Sequence, residues 1–105
     1  MVNRLKLQDI FENILGNEHV YYQPPPSKKI EYPAIIYERS KIQKVNADDA
    51  MYGNTVRYSV TLIDHSPDSV YIKDILALPM CSHDRHFTSD NLNHDTFDLY
   101  FKEVN

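Results

Sequence analysis

Two helical periodicities alternating with runs of β-branched and aromatic residues predict an α+β fold for this chain. The expected architecture is a mostly antiparallel sheet of about four to five strands covered by two helices, in the order α-β-β-α-β-β. Short connections between successive strands favour antiparallel pairing. With 105 residues, positions 1–105 read as a single domain.

Leu7, Ile10, Phe11 and Ile14 follow the i, i+3, i+4, i+7 spacing of one helical face, which predicts a first helix from about Asn3 to Leu15. Asn3 is a suitable cap for its start, and Gly16 followed by Asn17 supplies residues that tolerate a left-handed end. Val20 to Gln23 reads as a short edge strand. It is followed by Pro24, Pro25 and Pro26, which remove backbone donors and predict a stiff surface connector. Strand character resumes near Tyr32 and continues to about Val45, after which the turn formers of Asn46 to Asn54 predict a loop.

In NTVRYSVTLIDH, Val56, Tyr58, Val60 and Leu62 point to one side and Arg57, Ser59 and Thr61 to the other. One face is core; the other is wet or covered by a partner. SPDSVYIKDILALP predicts a second helix capped by Ser66, with Pro67 in its first position and Pro79 beyond its end. Tyr71, Ile75 and Leu78 form its apolar stripe, with Ile72 and Leu76 beside it. Two final strands, Cys81 to Thr88 and His94 to Tyr100, are expected around the turn-rich SDNLN, with Phe97, Leu99 and Phe101 on a core-facing side.

Composition narrows the function. Hydrophobic residues at 42% and charged residues at 25% describe a globular chain. The net charge of -4, with scattered basic residues, lacks the footprint of a sequence-specific nucleic-acid binder. One cysteine cannot form an internal disulfide, which favours a reducing compartment, and no segment has the apolar length of a membrane span. Eight tyrosines suit half-buried sheet faces and subunit contacts alike.

The segment CSHDRHFTSDNLNHDTFDLYF concentrates three of the five histidines, the cysteine and four aspartates. On a regular strand, Cys81 and His83 face one side and Asp84 and His86 the other, so one strand does not gather them around an ion. The spacings match no standard metal-ligand pattern, Cys81 has no local nucleophile signature, and two glycines cannot build a phosphate loop. No cofactor or catalytic residue is therefore expected. A small metal-dependent enzyme built on this hairpin is the alternative of a different class.

VYYQPPPSKKIEYPAIIYER, NTVRYSVTLIDHSPDS and ALPMCSHDRHFTSDNLNHDTFDLYF resemble a family of small tail proteins of tailed bacteriophages, known as tail terminator, tail completion or minor tail proteins. The resemblance runs from about Val20 to Phe101. It implies a non-catalytic virion component, assembled in the host cytoplasm, that forms a homo-oligomeric ring, commonly a hexamer. Such a ring sits on the head-proximal end of the tail tube, stops tube polymerisation and docks to the head connector or stopper protein; a head-side neck role is the close variant. Stretches mixing arginine, aromatic and short polar residues then become the expected contacts: the polar face of the Thr55 to Ile63 strand, the loop Asn46 to Asn54 and the His83 to His94 hairpin, with Arg57, Tyr58, Arg85, His86 and Phe87 as the named residues. Tyr58 also fits the core, and the two arginines also fit an ordinary solvated face.

Overall fold

Helix α1 (Asn3–Leu15) ends as its sequence predicts: Gly16 adopts a left-handed φ of 72° and its N–H donates to the Glu12 carbonyl at 2.8 Å. The computed structural model describes residues 3–44 and 54–103. The cap expected of Asn3 concerns a side chain outside the described ones, and the loop at positions 46–53 lies outside the described residues.

Five strands follow: β1 (Val20–Tyr22), β2 (Ala34–Lys44), β3 (Asn54–Asp64), β4 (Cys81–Ser89) and β5 (Leu92–Glu103), with helix α2 (Tyr71–Leu76) between β3 and β4. They form one sheet in the order β1-β2-β3-β5-β4, antiparallel except for the β1–β2 pair. The predicted α+β class, with its additional N-terminal edge strand, is the fold observed.

A single sheet face holds the core. Ile35 and Tyr37 of β2, Val56, Tyr58, Val60 and Leu62 of β3, and Phe97 and Leu99 of β5 all point towards Leu7, Phe11 and Leu15 of α1 and Ile75 of α2. Strand alternation explains this directly, since β3 pairs Val60 with Tyr37 on one side and with Phe97 on the other. Phe101 packs at the margin of the same cluster. A partly buried polar relay joins the layers: the Tyr37 hydroxyl donates to Gln8 Oε1, and Gln8 Nε2 donates to the Val20 carbonyl and to Glu12 Oε2, each at 3.0 Å.

Three features depart from the sequence expectation. Because β1 is parallel to β2, residues 23–33 must return the chain to the start of β2. They do so beside Tyr21, which shares the coreless face with its register partner Ile36: the Glu31 N–H donates to the Tyr21 hydroxyl, and the Lys28 ammonium lies 5.6 Å from its ring. Helix α2 begins at Tyr71, not at Pro67 after a Ser66 cap. Side chains divert the intervening backbone into local turns: Asp64 Oδ1 accepts from the Ser66 N–H, Ser66 Oγ from the Asp68 N–H, and Ser69 Oγ from the Tyr71 N–H. Finally, the β4–β5 hairpin turns on Asp90 and Asn91 alone. Both have positive φ, as a two-residue turn matched to strand twist requires, and this brings the start of β5 forward to Leu92; its far end runs to Glu103 by pairing with β3.

Replacing Phe97 by Ala should cost about 3–5 kcal/mol in chemical denaturation, while Ile42→Ala, at a half-exposed position, should cost under about 1 kcal/mol. Tyr37→Phe leaves Gln8 Oε1 short of a donor and should cost about 1–3 kcal/mol. Burial also pushes the Tyr37 phenol above its ordinary value. The fold favours the neutral phenol, so this part of stability is complete below about pH 10 and is lost as pH rises through the folded value. The Tyr37→Phe protein should lose less stability than the parent in that alkaline window.

Candidate functional site

The face of the sheet turned away from the helices is built from the alternate residues of the same strands. On β3 these are Thr55, Arg57, Ser59 and Thr61, ending at Ile63, which is buried beside Ala34 of β2; on β5 they are His94, Thr96, Asp98 and Tyr100. Ile63 apart, none of these eight is fully buried, whereas the core-facing residues between them are. Arg57 Nη2 donates to Asp98 Oδ1 at 2.9 Å, and that bond holds the guanidinium even more firmly protonated than usual. Arg57 Nε is buried and makes no hydrogen bond among the described residues.

Strand β4 reaches this face through an irregularity. The register passes from His83 opposite Phe97 to Arg85 opposite Thr96, so Asp84 is an extra residue, a β-bulge. Arg85 and Phe87 consequently share the open face with His94, Thr96 and Asp98. The Arg85 guanidinium lies 4.8 Å over the Phe87 ring, which stacks on His94 with centroids 4.7 Å apart and planes 15° from parallel. The Asp84 carboxylate accepts from the Thr96 hydroxyl at 3.2 Å, and the same hydroxyl oxygen accepts from the Arg85 N–H at 3.2 Å.

The bulge also overturns the expectation that His83 and His86 face opposite sides. One extra residue inverts the alternation, and both imidazoles turn to the helix-facing side, where Asp95 is 4% exposed. His83 Nε2 and His86 Nδ1 lie 3.1 Å and 2.9 Å from the same atom, Asp95 Oδ1. A carboxylate only accepts, so the geometry suits the tautomers in which each of these nitrogens carries the hydrogen. His83 additionally meets the edge of the Phe97 ring. The chemistry of this cluster is that of one buried acceptor bridging two half-exposed donors. Among the described residues, no group of three or more His, Cys, Asp or Glu is placed to hold a metal ion.

The five expected contact residues are thereby divided. Arg57, Arg85 and Phe87 lie together on the open face; His86 lies on the opposite face, engaged with Asp95. Tyr58 is a correction: at 2% exposure it packs in the core against Tyr37, so it offers no surface to a neighbour. His94 and Asp95 are not among the five residues that the sequence nominates as contacts. Asp95 was detectable, because it occupies the core-facing phase of the alternation Asp95, Phe97, Leu99, where a charged residue needs a partner. Burial, reinforced by nearby Asp98, pushes the Cys81 thiol up.

An apolar cavity of about 270 Å³ opens between α1, the α2–β4 connection and β5, lined by Leu7, Ile10, Leu78, Met80, Leu99 and Phe101. A second, shallower groove runs between α1 and α2, with Ile10, Ile14, Ala77 and Leu78 on its walls and Asp74 at its rim. No described helix is long and apolar enough to cross a membrane.

Asp95→Ala should cost about 1–3 kcal/mol in chemical denaturation, because both imidazoles lose their acceptor, and His83→Ala or His86→Ala should each cost less. Alkylation of Cys81 by iodoacetamide near pH 8 should run more slowly than that of a free cysteine, since burial disfavours the reactive thiolate. Comparisons with protein-family models, with curated proteins and with solved structures returned no match.

Proposed function

We propose that this chain is a structural subunit of a bacteriophage tail, assembling as a ring on the head-proximal end of the tail tube, where it stops tube growth and docks the tail to the head connector. The observation that carries the reading is the sheet clad by helices on one face only. Its other face holds arginine, stacked aromatic rings and short hydroxylated side chains, a composition suited to a polar protein interface. The sequence resemblance to tail terminator and tail completion proteins from Val20 to Phe101 gives that interface its biological setting. A head-side neck ring would use the same face.

The reading of another class, a metal-dependent enzyme, has one observation in its favour: two imidazoles and a carboxylate meet at the β4–β5 hairpin. They meet as donors around a shared acceptor, which is a complete hydrogen-bonding arrangement in itself.

Polymerising a phage tail-tube protein, with and without the purified chain, separates the readings. The ring reading predicts shorter tubes with added density at one end, seen by electron microscopy. Unchanged tube lengths, with a stoichiometric metal found on a monomeric protein by elemental analysis, would favour the enzyme.

A further inference from the structure

A ring needs a second surface to receive the first, and the free edges of the sheet are poor candidates. On β4 the outer edge carries the Asp84 bulge and the charged Asp84 and Arg85. On β2, beyond the three residues paired with β1, it carries a bulge at Ser40 flanked by Glu38, Arg39 and Lys41. Bulges and charges are the devices that keep strand edges from pairing with other chains. These two edges are therefore poorly suited to contacts between copies, which favours the faces.

On the open face, Arg85 differs from Arg57. Arg57 already has its carboxylate in Asp98, while no carboxylate meets the Arg85 guanidinium among the described residues. Stacking on Phe87, itself stacked on His94, restrains the side chain and leaves its planar fork of donors free. An arginine held in this way loses little further freedom on binding, and arginine beside an aromatic ring is the composition of energetically dominant interface positions.

The helix layer carries a matching feature. Leu7, Phe11 and Leu15 bury the inner part of the α1 stripe, but Ile10 and Ile14 are only partly covered and form one wall of the groove against Ala77 and Leu78. Apolar surface of α1 therefore exceeds what the domain's own core uses. Asp74, exposed at the groove's rim, has no ion-pair partner among the described residues. An apolar floor with an anionic rim complements a flat aromatic body with a cationic tip.

Resting on the ring reading, we infer that the occupant of the α1–α2 groove is a second copy of this chain, whose Phe87 packs on Ile10 and Ile14 while its Arg85 pairs with Asp74. The anchor and the groove lie on opposite layers of the domain, so they do not meet within one subunit. A contact between opposite sides is heterologous, and repetition of a heterologous contact closes a ring or extends a filament. Charge complementarity selects a copy of this chain over an unrelated apolar ligand, which would leave Asp74 and Arg85 unused.

The test is a charge exchange followed by analytical ultracentrifugation over a range of concentrations, with circular dichroism and thermal denaturation confirming that each protein is folded. Arg85→Asp and Asp74→Arg should each lower the association constant by about tenfold or more, and the double variant should recover to within about threefold of the parent. Phe87→Ala should weaken association with no recovery in the exchanged background. If both single variants assemble like the parent, or if the double variant shows no recovery, this contact is wrong while the ring reading stands. A parent chain that remains monomeric at every concentration, and also leaves tube length unchanged, overturns both.

Discussion

One-sided burial of a twisted five-stranded sheet is the constraint on which the rest of this molecule depends. Tyr37, Val60 and Phe97 lie in one row across β2, β3 and β5, and α1 and α2 close over that row and its neighbours. Hydrophobic burial on that side supplies the main stabilisation. The relay from Tyr37 through Gln8 to Val20 then fixes α1 against the β1–β2 corner at a point where apolar contacts alone would allow sliding. Apart from Ala34 and its partner Ile63, which are buried at one end of the other face, the residues on that side of the sheet are thereby freed from a core role. That is why Arg57, Thr61, Thr96 and Asp98 can alternate with buried residues on the same strands.

The bulge at Asp84 is the second decision made by the fold. Without it, β4 would present His86 and Asp84 to one side and His83 and Arg85 to the other. With it, Arg85 and Phe87 join the open face, and both histidines close on Asp95. One inserted residue thus separates the hairpin into a polar interior cluster on one side and a stacked arginine anchor on the other.

Much of this was legible in the sequence because period-two alternation and the i, i+3, i+4 spacing are local signals. Val56, Tyr58, Val60 and Leu62, the α1 stripe, and Phe97 with Leu99 all lie where those periods put them. What escaped was set by pairing between distant segments. A bulge is defined by the register of two strands, so nothing within CSHDRHFTS reveals that Asp84 is the extra residue. The parallel β1–β2 pair depends on the route of residues 23–33. The late start of α2 reflects competition between Ser66, Ser69 and the backbone, in which side-chain turns outweigh the favourable Ser-Pro-Asp composition. Tyr58 fits both readings from sequence, since aromatic residues suit cores and interfaces equally; its 2% exposure, opposite the buried Leu99 and edge-on to Tyr37, decides between them.

Fold and function meet at the uncovered sheet face. On the proposed reading, a subunit that packs its helices on one side of the sheet, guards strand edges with charge, and sets a restrained arginine and two stacked rings on the other side makes its contacts through faces. The central claim is that a neighbouring subunit covers this face in the assembled particle. Cryo-electron microscopy of the tail's head-proximal end tests it most directly. The account predicts a closed ring in which the sheet face of each subunit, around Arg85 and Phe87, lies against the helices of the next; a ring with that face open to solvent, or a particle without this chain, would contradict it.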